Sequence, residues 1–141
     1  MKSVPTGRVS AKDQRMLSEH FALAEFASHD GADFPAETLV GLGALARVLE
    51  KIRAHFGGRP VRILSGYRSP AHNAAVGGAK TSQHMFGTAC DIVIDGVPPG
   101  HVAEFAATLP EVGGVGRYLK QAFTHVDIRP RVGGACARWD G

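Results

Sequence analysis

Apolar and polar positions alternate along the chain in a way that marks out a few short elements. Between residues 35 and 56, Leu39, Leu42, Ala46, Leu49, Ile52 and Phe56 recur at three- and four-residue steps, while Arg47, Glu50, Lys51 and Ala54 fall elsewhere. This spacing predicts an amphipathic helix. Asp33 is placed to cap its start, Pro35 suits the first turn, and Gly57-Gly58 end it. The apolar run at 61–65 reads as the strand that receives the helix stripe. DIVID (91–95) is a second strand, ended by Gly96 and Pro98-Pro99, and HVAEFAATL (101–109) is a compact helix stopped by Pro110. GGVGRYL and FTHVDIR form two further strands joined around Lys120-Gln121, and ACARW adds an edge strand that lays Trp139 on the sheet. HFALAEFAS near the start is a short helix or docking strand that buries Phe21, Leu23 and Phe26. The order predicts an α+β domain with a small, mostly antiparallel sheet flanked by helices.

Length and composition narrow the class without changing that outline. At 141 residues the chain suits a single domain, able to bury about two-thirds of the surface its unfolded form exposes. Residues 1–17 are polar and read as an N-terminal arm; 18–141 form the domain. Charge is modest, with 16 Lys+Arg against 13 Asp+Glu and a net +3. No dense basic run interleaved with aromatics is present, so a nucleic-acid partner is not expected. No run reaches membrane-spanning length, and the first residues lack the apolar core of a secretory signal. A protein that acts outside the cytoplasm then needs another route of delivery. Cys90 and Cys136 lack CxxC spacing. Alternation puts Cys90 with Ile92 and Ile94 in the core, with Asp91 and Val93 on the opposite face.

Candidate chemistry concentrates between Ser65 and Asp91, in SGYRSPAHNAAVGGAKTSQHMFGTACD, and in the distant FTHVD segment. His84, Asp91 and His125 offer two imidazoles and a carboxylate, a donor set that suits a divalent metal and leaves a tetrahedral zinc one open position. Gly87 lets the chain bend between His84 and the strand that begins near Asp91. His125 and Asp127 share one strand face, ~7 Å apart along it. His20, His29, His72 and His101 are expected at the surface or in loops. There is no HExxH, no GxxxxGK, no GxSxG and no PCxxC partner.

SGYRSP, SQHMFGTACD and HVD resemble the motifs of the M15-type zinc DD-peptidases, whose pattern is SxHxxGxAxD followed by a late histidine. Ser82, His84, Gly87, Ala89 and Asp91 match that pattern, and the similarity runs from about Phe21 to Trp139. It resembles most the small branch of phage endolysins and bacterial wall endopeptidases that end in GGVGRY, FxHVDxR and RW. The resemblance implies a Hedgehog/DD-peptidase-like fold, a zinc cofactor on His84, Asp91 and His125, and cleavage of peptidoglycan stem peptides or cross-links next to D-amino acids. It implies that Arg68 reaches the peptide carboxylate or the developing oxyanion, and that Ser82 lies beside substrate, unless Ser82 only caps a turn. A monomer is expected, phage-encoded and released from the cytoplasm, or virion-associated.

The chain departs from the pattern at one point. Where better-known members carry a Glu or Asp three residues before the last histidine ligand, this chain has Ala122, and where others carry a histidine two residues before it, this chain has Phe123. Asp127 is the nominee to orient or deprotonate the zinc water. The alternatives are a partner that fixes a histidine tautomer and an ion-pair partner of Arg129. Because of Ala122, a non-catalytic zinc-containing module of the same fold, binding cell wall or a protein partner, is the competing expectation.

Overall fold

The computed structural model describes residues 7–141; residues 1–6 of the expected arm lie outside it. Two strands, β1 (Arg8–Val9) and β2 (Phe34–Pro35), pair antiparallel and tie the start of the chain to the domain. Asp33 serves this junction, accepting from the Ala11 amide at 3.1 Å, and does not cap a helix. The helix α1 accordingly begins later, at Thr38–His55, where the Thr38 hydroxyl donates to Pro35 O at 2.7 Å. Its stripe sits as the periodicity requires: Leu42, Leu45, Ala46, Leu49 and Ile52 are fully buried. Each of the large ones contributes about 1.5–3 kcal/mol relative to exposure. Gly57 and Gly58 end the helix with φ of +78° and +79°.

The main sheet has five strands: β3 (Val61–Ser65), β4 (Ala89–Ile94), β5 (Gly114–Tyr118), β6 (Phe123–Asp127) and β7 (Ala137–Asp140). They lie in the order β3-β4-β6-β5-β7. All pairs are antiparallel except β5 with β7, which run parallel. Helix α3 (Pro99–Ala106) packs with α1 over one face, where Cys90, Ile92, Val102, Ala106, Val115 and Val126 join the core. Both cysteines are free, and Cys90 is buried. Burial holds the Cys90 thiol well above its usual pKa, and the nearby carboxylates reinforce that. It is therefore a packing residue, not a nucleophile.

Two elements sit in the segment between β3 and β4. Helix α2 (Pro70–Ala75) starts at Ser69, whose hydroxyl accepts from the His72 amide at 3.0 Å. A 3-10 helix, Gln83–Phe86, starts at Ser82 and ends at Gly87, which takes the left-handed conformation with φ of +71°. A second 3-10 helix, Leu23–Phe26, resolves the ambiguity of the N-terminal aromatic run. Among the described residues, no helix is long and apolar enough to cross a membrane.

Candidate functional site

Strand register assembles the site. On the sheet face turned away from α1, one row runs across four strands: Asp91 of β4 opposite His125 of β6, His125 opposite Gly116 of β5, and Gly116 opposite Trp139 of β7. His84 enters this row from the 3-10 helix between α2 and β4. Its position is set by the segment after β3, because the Arg68 amide donates to His84 O at 3.1 Å and His84 Nδ1 meets Gly66 O at 2.8 Å. His84, Asp91 and His125 are all buried, and one ligand atom from each lies within 4.8 Å of the others.

Proton positions follow from the partners. A carbonyl oxygen can only accept, so His84 Nδ1 carries its hydrogen toward Gly66 O and Nε2 presents a lone pair. His125 Nε2 meets Asp127 Oδ2 at 2.8 Å and Nδ1 meets Asp91 Oδ1 at 3.1 Å; a hydrogen on the shorter contact leaves Nδ1 with a lone pair. These two nitrogens converge on Asp91 Oδ1, at 3.3 Å from His84 Nε2 and 3.1 Å from His125 Nδ1. With the His125 hydrogen on the Asp127 side, three acceptors face one point, an arrangement that suits a divalent cation. Two imidazole nitrogens and one carboxylate oxygen, each imidazole held from behind by an acceptor, fit zinc.

Without a cation, protons must serve instead. Burial works against charge on His125, but its hydrogen bonds to Asp127 and Asp91 outweigh that and raise its pKa above the usual 6.5. Asp91 likewise overcomes its burial through His125 and His84 and is held at about 2. Asp127, also about 2, is held down against burial by His125 and Arg129.

Asp127 itself is fully buried behind His125. Besides the ring, its carboxylate accepts from Arg129 Nε at 2.9 Å, Nη2 at 2.6 Å and the Arg129 amide at 3.1 Å. Both oxygens are thus engaged on the side of His125 away from Asp91. This geometry unites the two alternatives, holding a histidine tautomer and pairing with Arg129, and directs no free oxygen at the metal-facing nitrogen. Ala122 stands exposed in the β5–β6 turn with φ of 59°.

Arg68 flanks the cluster from the other side. Its Nη1 donates to Asn73 Oδ1 at 3.0 Å, its Nη2 lies 3.8 Å from Asp91 Oδ2, and Asn73 in turn donates to Ala79 O at 2.9 Å. The Ser82 hydroxyl accepts from the His84 amide at 3.3 Å, so it caps the turn while also facing the cleft. That cleft, about 630 Å³, is bounded by Arg68, the 76–82 loop, Gln83, Tyr118, Phe123, Arg129 and Trp139. His72 pairs with His29 instead, with ring centroids 5.7 Å apart, and His20 binds Glu50 at 2.7 Å.

The Peptidase M15 family matches residues 14–127. The chain belongs to the Peptidase M15 family. The peptidoglycan L,D-endopeptidase MepK of Escherichia coli (strain K12) is 36% identical over 77 residues, covering 51% of this chain and 42% of the relative. A probable peptidoglycan L,D-endopeptidase MepK of Haemophilus influenzae is 41% identical over 75 residues, covering 50% of this chain and 40% of that protein. The zinc D-Ala-D-Ala carboxypeptidase of Streptomyces albus G is 41% identical over 44 residues, 31% of this chain and 17% of its own length. The chain thus spans less than half the length of these curated relatives.

In this Peptidase M15 chain, sequence reasoning missed the glycines of β5. A Cβ on Gly116 would lie 2.5 Å from Trp139 Nε1, and one on Gly114 would lie 2.5 Å from Asp127 Oδ2. The GxG step leaves β5 bare on the site face, so the indole lies across it, 5.2 Å from the His125 ring centre to centre. Alternate glycines inside a predicted strand were the available signal.

Proposed function

We propose that this protein is a zinc-dependent peptidoglycan peptidase that hydrolyses amide bonds next to D-amino acids in stem peptides or cross-links. The observation that carries the reading is the convergence of one ligand atom each from His84, Asp91 and His125, all within 4.8 Å of one another, in an open cleft of a Peptidase M15 chain. The names of the relatives support the substrate class.

Zinc held by His84 Nε2, Asp91 and His125 Nδ1 would supply Lewis acidity toward an amide carbonyl and toward water. The remaining work falls to the chain. Gly66 O and Asp127 keep the hydrogens of His84 and His125 on the outer nitrogens, which leaves the inner ones ready to ligate. Arg68, braced by Asn73, presents its guanidinium to a substrate carboxylate, a pairing that fixes the peptide in register with the cluster. Ser82, at the cleft wall, sets the position of His84 and borders the peptide backbone.

A non-catalytic module that keeps zinc for wall recognition is the second reading. What favours it is that Asp91 is the only carboxylate lining the cleft among the described residues. Purified protein incubated with cross-linked muropeptides decides between them by mass spectrometry of the products. The peptidase reading expects cleavage that EDTA abolishes and zinc restores. Binding of muropeptides without any cleavage by zinc-loaded protein would favour the module.

A further inference from the structure

Among the cleft residues that neither the metal cluster nor the substrate clamp uses, Tyr118 has a fixed hydroxyl. Tyr118 ends β5 at the cleft wall, and its ring stacks on Phe123 with centroids 4.5 Å apart and planes 7° apart. Trp139 Nε1 meets the Tyr118 oxygen at 3.0 Å. An indole N–H can only donate, so the phenol oxygen accepts there and keeps its own hydrogen. Among the described residues that hydroxyl has no other hydrogen-bond partner, and Tyr118 lines the same cleft as His84, Asp91, His125 and Arg68.

The placement of the hydroxyl is built from the sheet upward. Gly116 is the residue of β5 that pairs with both His125 and Trp139, and its missing side chain lets the indole lie over β5 beside His125. The indole is held by Arg129, whose guanidinium carbon is 5.1 Å from the ring centre, and Arg129 is forked onto Asp127. A chain of fixed contacts therefore runs from Asp127 through Arg129 and Trp139 to the Tyr118 hydroxyl. Phe123 pins the other side of the phenol.

We propose that Tyr118 is a catalytic residue of the peptidase, donating its hydrogen bond to the scissile carbonyl oxygen as negative charge develops there, with Trp139 as its positioning residue. Amide hydrolysis concentrates charge on that oxygen, and a fixed donor aimed at it stabilises the transition state more than the ground state. Arg68 is braced toward Asn73 and Asp91, and Tyr118 brings a neutral donor whose own oxygen is held by Trp139.

This inference rests on the peptidase reading, and Tyr118→Phe tests it because the substitution keeps the stack on Phe123. The variant is expected to retain zinc and its thermal midpoint. Its kcat on muropeptide should fall on the order of 100-fold with KM nearly unchanged. Affinity for a phosphinate analogue of the stem peptide, a tetrahedral anion, should fall with kcat while affinity for the product peptide stays. Trp139→Phe, which removes the indole donor and shrinks the ring that lies over β5, should lose at least about 3- to 10-fold in kcat. Wild-type kcat and phosphinate affinity in Tyr118→Phe would overturn the inference while leaving the peptidase reading intact. Zinc-loaded wild-type protein that cleaves no muropeptide would remove both. Full activity in Trp139→Phe would overturn the positioning role.

Discussion

Asp127→Asn separates two roles for one carboxylate: holding His125, or taking a proton from the reacting water. The carboxylate is fully buried and accepts from His125 Nε2 at 2.8 Å and three times from Arg129. Asparagine keeps the shape but turns an N–H₂ toward these donors, so at least one hydrogen bond is lost and two donors face each other. Removing one partner of a buried pair costs about 3–5 kcal/mol. The Arg129 side chain is 35% exposed and water can reach it, which places the expected loss at the low end, about 3 kcal/mol. His125 also loses the anion that fixes its tautomer and raises its basicity, a change that weakens zinc binding by about 10- to 100-fold. Urea denaturation of metal-free protein gives the first quantity, and competition with a chromogenic chelator gives the second. Wild-type stability and zinc affinity, combined with a large loss of kcat, would refute the positioning role and restore Asp127 as the proton acceptor.

Three further outcomes follow from the same geometry. Gly66→Ala places a Cβ 2.6 Å from Phe26 Cα, beside the carbonyl that holds His84; it should cost about 1–3 kcal/mol by thermal unfolding and weaken zinc binding in a chelator titration. Asn73→Ala frees Arg68 and the 79 carbonyl; KM for muropeptide should rise severalfold, with zinc content unchanged by metal analysis. Metal-free protein should be most stable between about pH 4 and 6.5. Asp91 and Asp127, held at about 2, lose their contribution as pH falls from 3.8 toward that value. His125, raised above 6.5, contributes fully below that value and loses its contribution as pH rises through its higher folded pKa. Zinc requires the neutral ring and should abolish the alkaline loss, which thermal melts with and without EDTA would reveal.

Much of this site was legible because local rules and register agree. The period of α1 exposed its buried stripe, and strand alternation placed Cys90 in the core, Asp91 on the opposite face and His125 beside Asp127. What alternation cannot convey is which nitrogen of His125 faces inward. That depends on Asp127 being anchored behind the ring by Arg129, two residues past it and beyond the end of β6, a contact decided by rotamers. Helix α2 was hidden because six residues are too few to show a period, although Ser69-Pro70 was its start signal. Asp33 looked like a helix cap, but the Ala11 amide competes for it once β1 pairs with β2. The parallel pairing of β7, which brings Trp139 opposite Gly116, is a long-range choice with no local trace.

The most direct test joins zinc content to cleavage on the same samples, for wild type and for His84→Ala. Elemental analysis of the wild type should show one zinc per chain and X-ray absorption a shell of nitrogen or oxygen ligands with the outer-shell signature of two imidazoles, together with muropeptide hydrolysis. His84→Ala should lose both the metal and the activity while keeping its fold by circular dichroism. A wild type that retains no zinc, or a His84→Ala protein that cleaves as well as the wild type, would contradict the account.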